Sequence, residues 1–375
     1  MTGATGVDTE EDRLWRMNRA LAFICGLVAL TIAMPAANAQ EPFFAGKRLT
    51  ILVNFAPGGS TDTEARVFAR HIGRLIDGQP NIVVQNMDGA GGLVGAKYVG
   101  EVGSRDGTLA GYFTATGFIY ALDPERFKAD FKTYEFIGIQ PGTSINFVRT
   151  DVEPGMKQPN DIVKAKNLII GSLAPDSSKG VRMRLAFDLL GIPYKYISGY
   201  RSGGAAKLAL QRGEINFFGE SPPSYGSIIE PGLVRTGEVI PIYQDPGYDG
   251  EKFFVPDSAK AISVQTFPEL YQAVKGGTPS GRLWEAYKTV LGADGTMQRM
   301  ITMAPGAPAA AVNALREGIA RLNSDKAHAE DAQKAFGYVP VWRAGADNNA
   351  LAQRTMTIQP QARQFLLDYI KNPPK

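Results

Sequence analysis

The chain is nearly devoid of the side chains that most often carry nucleophilic and acid–base chemistry: 375 residues hold one cysteine and two histidines. Cys25 lies in an apolar N-terminal run, and a lone cysteine can form neither an intrachain disulfide nor a thiolate metal cluster. His71 falls among arginines and His328 in a polar stretch, so neither stands beside a nucleophile. No grouping of His, Cys, Asp and Glu has metal-ligand spacing, no serine sits in a Gly-x-Ser-x-Gly elbow, and Gly89-Ala90-Gly91 with Gly95 lacks the spacing of a dinucleotide loop. These absences point away from an enzyme, a bound metal and a cofactor. Runs of basic residues are missing too, which argues against nucleic acid. No apolar stretch reaches the about 20 residues that cross a bilayer as a helix.

What is present begins with a targeting segment. Arg16 and Arg19 precede an apolar run from Ala20 to Met34, and Ala37-Asn38-Ala39 then supplies a small-x-small cleavage pattern. Cleavage after Ala39 is expected, with export to the periplasm. Met17-Asn18-Arg19 would make a more ordinary start than the acidic stretch before it. Removing residues 1–39 takes away three arginines and four acids, so the net charge rises from +3 to +4. A mild positive charge suits anionic ligands only weakly. The remaining 336 residues exceed a usual single domain, which predicts two lobes.

The most informative stretch runs from Leu49 to Ile76. Leu49 to Phe55 reads as a strand that stops at Ala56-Pro57-Gly58-Gly59, and Ser60-Thr61-Asp62-Thr63-Glu64 then opens a helix, Thr61 and Glu64 having capping-box spacing. Ala65, Phe68, Ile72 and Leu75 recur at helical spacing, with Arg66, Arg70 and Arg74 on another face. A glycine-rich loop feeding a helix N-terminus is a natural seat for an anion. A second glycine-rich exit, Asn86 with Gly89 to Gly92 and Gly95, follows the β-run Ile82-Val83-Val84 one βα unit later. In an open parallel sheet both exits fall on the ligand-binding edge.

Further strands are predicted at Thr108–Thr114 and Phe136–Ile139. Between Ile139 and Asp161 the pattern changes to Pro141-Gly142, a lone apolar run Ile145 to Val148, Pro154-Gly155 and Pro159, as expected of a crossover. A new α/β rhythm follows, with strands at Leu168–Ser172, Tyr194–Ser198 and Ile215–Phe218 and helices before Gly191 and Gly213. The run Val239 to Tyr243 is expected to return the chain to the first lobe. Helices are read at Leu270–Val274, Leu283–Leu291 and Ala309–Leu322, then a strand at Val339–Trp342 and a last helix over Leu351–Ile370. The resulting boundaries are 40–140 for the first lobe, 141–240 for the second and 241–375 for the return. Such a double crossing makes a hinged clamp whose ligand touches both lobes.

Phe55-Ala56-Pro57-Gly58-Gly59-Ser60-Thr61-Asp62, then Asn86 to Gly95 and Arg105-Asp106-Gly107-Thr108-Leu109, give the chain a resemblance to the periplasmic substrate-binding receptors of tripartite tricarboxylate transporters, the Bug-type receptors. The resemblance implies an α/β, two-lobed type II periplasmic-binding fold with the ligand in the interlobe cleft. It also implies a mono- or dicarboxylate ligand, membrane permease subunits as partners, and a monomer. The loops at 56–62, 89–92, 172–178 and 198–204 would line the cleft. The loop Ala56-Pro57-Gly58-Gly59 would belong to the ligand site, and the resemblance carries the family's main-chain and hydroxyl grip on a ligand carboxylate onto Ser60, Thr61, Ser172, Ser177 and Ser178, with Asp62 orienting the ligand. Tyr200-Arg201 stands where the family has Tyr-Lys, and Arg201 would add a bidentate grip. Glu220-Ser221 replaces an Asp-Asn-like pair. Pro175-Asp176 occupies a loop usually built of glycine, asparagine and histidine, and Gly180 stands where histidine is common. Asp176 would disfavour a second anionic group if it faced the cleft. A docking protein that signals to a sensor kinase is the rival reading, and a periplasmic hydrolase a more distant one.

Overall fold

Arg48–Val53 (β1) is flanked in register by Asn81–Asn86 (β2) and Leu109–Thr114 (β3), all parallel. This computed structural model describes Gly3, Glu10, Glu11, Trp15 and residues 41–248 and 251–373. The predicted apolar export segment and the cleavage point at Ala39 lie outside the described residues. No helix among the described residues is long and apolar enough to cross a membrane. Residues Pro42–Lys375 form one unit built on two five-stranded sheets.

The first sheet has the order β2-β1-β3-β12-β4, with β4 at Glu135–Gln140 and β12 at Arg299–Met303. The second has the order β7-β6-β8-β5-β9, from Ile145–Arg149 (β5), Leu168–Ser172 (β6), Tyr194–Ser198 (β7), Phe217–Glu220 (β8) and Val239–Gln244 (β9). A two-residue ladder, β10 (Gly247–Tyr248) with β11 (Phe253–Phe254), stands apart. The sheets share one plan. Three parallel strands are followed by an antiparallel neighbour, β12 in the first, which comes from far along the chain, and β5 in the second, which immediately precedes that sheet's other strands.

Helices cover these sheets: α1 (Ser60–Ile72), α2 (Leu93–Glu101), α3 (Thr116–Leu122), α4 (Ser178–Leu190), α5 (Gly203–Gln211), α6 (Phe267–Lys275), α7 (Gly281–Val290), α8 (Ala309–Leu322), α9 (Lys326–Phe336), α10 (Asn348–Thr355) and α11 (Pro360–Lys371). Ala65, Phe68 and Ile72 of α1 pack with Leu315 and Ile319 of α8 over β1 and β3. Arg70 of α1 is paired with Asp331 of α9, and Arg74, in the turn that follows α1, with Asp325, the N-cap of α9, so these arginines serve the packing of the two helices. His71 and His328 meet edge to face, 5.7 Å apart, at the same contact.

Several local expectations give way to tertiary context. The run at Ile145, expected as a connection, is a central strand, and Val239–Gln244 completes the second sheet instead of leaving it. Strand β12 was not anticipated, because Met300 and Met303 have helical propensity and no alternation marks the run. Val339–Trp342 forms no strand: one bridge joins Arg343 to Ile139, while Trp342 packs edge-on against Tyr112. The last helix is two, broken before Pro360. The segment after residue 241 divides its packing, since Phe267, Leu270, Trp284, Tyr287 and Leu366 share a core with Ile170 and Phe217 of the second sheet and Phe187 of α4.

Candidate functional site

The strand exits of both sheets meet around a cavity of about 80 Å³. Asn54, fully buried at the end of β1, holds the first lobe's side together. Its Nδ2 donates to Gly92 O (3.2 Å), Thr114 O (3.0 Å) and Thr116 Oγ1 (3.2 Å), while its Oδ1 accepts from Thr114 N (3.1 Å). One amide thus ties the exits of β1, β2 and β3. Gly92 is required beside it: φ is +97°, and a Cβ would lie 2.4 Å from Asn54 Nδ2.

The first turn of α1 faces the cavity with Gly59, Ser60 and Thr61. Its N-cap is Gly59, with no side-chain cap, and Glu64 does not close the expected capping box. Glu64 is instead buried against Arg299, taking Nε at 2.7 Å and Nη2 at 3.2 Å, and it also accepts from Tyr112 and Tyr338 hydroxyls. Burial alone would lower the pKa of Arg299, and the Glu64 carboxylate, with Tyr112 and Tyr338, more than offsets this, leaving it raised. Arg299 Nη2 further donates to Ser60 Oγ (3.3 Å) and Ser221 Oγ (3.5 Å), and so bridges the two sheets at the cavity wall.

The second lobe supplies Ser177, Ser178, Lys179 and Arg182 from the start of α4, Ser202 and Gly203 from the start of α5, and Glu220 and Ser221 from the end of β8 and the residue beyond it. Arg182 is buried between two acids: Nε donates to Asp245 Oδ2 at 2.9 Å and Nη1 to Asp294 Oδ2 at 2.6 Å. Tyr287 Oη donates to the other Asp245 oxygen at 2.8 Å. Burial lowers the pKa of Lys179, partly countered by Glu220, whose Oε2 is 3.7 Å from Nζ; Arg182 and Arg299 lower it further.

The residues singled out in the sequence separate into three groups. Ala56, Gly59, Ser60, Thr61, Ser177, Ser178 and Glu220 line the cavity. Pro57 and Gly58 form the exposed tip of their loop, and Asp62 is turned into it. The Asp62 carboxylate accepts from Gly58 N (2.9 Å), Arg66 Nε (3.0 Å) and Asn86 Nδ2 (2.9 Å), and Asn86 also donates to Phe55 O. Burial would raise its pKa, but hydrogen bonds from Arg66, Gly58 and Asn86 hold it below the ordinary value. Asp62 thus braces the loop from behind the cavity wall. Ser172 is likewise occupied, bonded to Ala174 O (3.2 Å) and Ser177 Oγ (2.7 Å).

Tyr200 and Arg201 line a neighbouring depression with Asp88 to Gly92. There Arg201 is exposed and pairs with Asp88 across the lobes at 3.0 Å. Asp176 is paired with Arg126 of the first lobe and is absent from the cavity wall. Gly180 has no room for a side chain: a Cβ would lie 2.3 Å from Tyr196 Oη and 2.4 Å from Ser172 Oγ. Lys179, Arg182, Asp294 and Arg299 were missed. Arg182 sits within a helix like any amphipathic arginine, while Arg299 reaches the site only through β12 and Asp294 through the helical turn Leu291–Gly295 after α7. An apolar run ending in Ala304-Pro305-Gly306 was the signal available for that strand.

Two sheets of one topology, joined by crossing strands around an interlobe cavity, are the architecture of a two-lobed periplasmic binding protein. MatC from Rhodopseudomonas palustris with bound malate superposes at a TM-score of 0.61 with 18% identity, over 85% of this chain and 99% of that one. BugD matches at 0.60 with 16% identity, over 86% of this chain and 97% of its own. A second R. palustris protein, with adipate, matches at 0.61 with 16% identity, over 88% and 99%. At such identities the likeness is one of fold.

In sequence, a UPF0065 protein of Agrobacterium vitis is 29% identical over 184 residues, 46% of this chain and 52% of that protein. BugT of Bordetella pertussis is 43% identical over 79 residues, 21% of this chain and 23% of BugT. The matches thus span about half or less of the curated relatives' lengths. No family model matches the chain. Structural neighbours and sequence relatives agree on periplasmic binding proteins of the Bug and TctC type, as the motifs around Pro57 and Gly89 led one to expect.

Proposed function

We propose that this protein is an extracytoplasmic receptor that captures a small organic carboxylate between its lobes and delivers it to the permease subunits of a tripartite tricarboxylate-type transporter. One observation carries the reading: the N-termini of α1, α4 and α5 converge on a cavity also walled by Ser60, Thr61, Ser178 and Arg299. Helix starts leave N–H groups unpaired and bring the positive end of the helix dipole, so together they form a seat for a carboxylate. Two structural neighbours hold malate and adipate, which supports an acid as ligand. Because the walls come from both sheets, a bound ligand favours the closed clamp by touching both lobes.

A thermal-shift screen of the purified protein, freed of bound ligand by unfolding and refolding, tests this against carboxylates, amino acids and sugars. Ligand at a hundred times its Kd stabilises by about 2.7 kcal/mol, or a few degrees for a chain of this size. A shift confined to one class of carboxylates is expected. A shift with sugars and none with carboxylates would overturn the proposal.

A further inference from the structure

Three cations stand on the cavity wall, Lys179, Arg182 and Arg299, against two acids, Glu220 and Asp294. The two arginines are already answered. Asp245 and Asp294 accept from Nε and Nη1 of Arg182 at 2.9 and 2.6 Å, and Glu64 accepts from Nε and Nη2 of Arg299 at 2.7 and 3.2 Å. Each buried guanidinium thus meets a carboxylate at hydrogen-bond distance and brings little uncompensated charge to a ligand.

Lys179 is held differently. Its ion-pair partner Glu220 keeps Oε2 3.7 Å from Nζ, beyond hydrogen-bond length. The ammonium donates to Gly219 O at 2.9 Å and stands 5.5 Å from the centroid of the Phe218 ring. Among the described residues that is its one hydrogen bond, and an ammonium has three N–H groups to give. Its place in the chain adds to the cost. Lys179 is the second residue of α4, at the positive end of the helix dipole, where a cation is disfavoured and an anion welcome. Burial pulls its pKa down, Glu220 offsets part of that, and Arg182 and Arg299 pull it down further. A side chain so placed is short of negative charge, and it lines the cavity.

We propose that Lys179 makes the charged contact to the bound carboxylate, its Nζ donating to a ligand oxygen, and is the residue that reads the negative charge of the ligand. The inference rests on the receptor reading above and goes past it, because the resemblance to the Bug-type receptors implies only main-chain and hydroxyl donors for that carboxylate. A hydrogen bond between two ionised groups is about twice as strong as one between neutral groups, so one ammonium changes the balance of the site. Glu220 then acts on Lys179 and not on the ligand. It favours the charged ammonium while the cavity is empty, and its distance leaves N–H groups of Nζ for the ligand.

The experiment is isothermal titration of the full chain at neutral pH with succinate, malate, glutarate, adipate and benzoate, the tightest binder then being carried to two variants. Lys179→Met removes the ammonium and strands Glu220; Lys179→Met combined with Glu220→Gln removes both charges and strands nothing. Both variants should bind at least about tenfold more weakly than the wild type, as expected when one partner of an enclosed charge pair is lost. A smaller loss in Lys179→Met would overturn the inference and leave the receptor reading standing. So would a double variant that regains affinity, since Lys179 would then serve only to balance Glu220. Silence of every acid, in this series and in the thermal-shift screen, would overturn both. Should Lys179→Met not fold, Lys179→Gln takes its place in both variants under the same threshold.

Discussion

The first exits of the two sheets follow the same plan and satisfy themselves in opposite ways. After β1 the loop is braced from outside: Asp62 and Asn86 hold its backbone, and the N-cap of α1, Gly59, offers no side chain. After β6 the loop braces itself, because Ser177 Oγ caps α4 by accepting from Gly180 N at 3.2 Å and also meets Ser172 Oγ. The first lobe thus keeps its helix start open to the cavity, and the second spends a hydroxyl on its own helix while presenting charged side chains, Lys179, Arg182 and Glu220. A serine in a glycine-rich loop is therefore not evidence of ligand contact; what matters is whether its oxygen is already in use.

The largest effect should come from the two buried arginines, one serving each side of the comparison. Arg182→Met leaves Asp245 and Asp294 buried without their cation, and about 3–5 kcal/mol of stability should be lost in urea denaturation. Arg299→Met strands Glu64 and should cost a similar amount while also weakening ligand, since Arg299 touches Ser60 and Ser221. Equal binding by both folded variants would remove the distinction between them.

Next is the external brace. Asp62→Ala takes the acceptor from Gly58 N and one of two acceptors from Asn86 Nδ2, which keeps Phe55 O, and should cost about 1–3 kcal/mol, with weaker ligand binding through the loosened loop. Because the Asp62 pKa is lowered in the folded state, the unfolded chain takes up its proton first as pH falls. Its contribution is complete above the ordinary value of 3.8 and disappears below it. A difference in Tm between wild type and Asp62→Ala that stays constant from pH 7 to 3 would contradict the brace.

Smaller still is the self-made cap. Ser177→Ala should lower stability by about 1 kcal/mol and alter affinity little, measurable as a Tm shift without a matching change in Kd. Smallest are the pairs spanning the cleft mouth, Arg201 with Asp88 and Arg126 with Asp176. Arg201→Ala should change stability by no more than about 1 kcal/mol, and any loss of affinity should vanish at high salt, where exposed pairs are screened. A salt-independent loss of binding would return Arg201 to the ligand.

Much of the architecture was legible because it is local. The Pro-Gly-Gly stop after β1, the repeat of strand, glycine loop and helix, and the apolar spacing of Ala65, Phe68 and Ile72 each report a backbone requirement within a few residues. The candidate loops followed from strand order, since parallel strands bring their exits to one edge. What escaped was whatever depended on partners far along the chain. Glu64 has the spacing of a cap, yet Arg299, 235 residues away, claims its carboxylate. Ile145–Arg149 reads as a connection until it is seen between β8 and β9.

The sequence by itself determined the two-lobed α/β plan and the placing of glycine where φ turns positive, because propensity, periodicity and turn chemistry act over short range. Tertiary structure alone decided which polar groups face the cavity. Asp62 and Ser172 were turned to structural hydrogen bonds, while Lys179, Arg182, Asp294 and Arg299 were gathered to the wall from elements far apart in the chain. The physical reason is that a buried polar group goes to the donor or acceptor nearest in space, and that neighbour is chosen by how the sheets and helices pack.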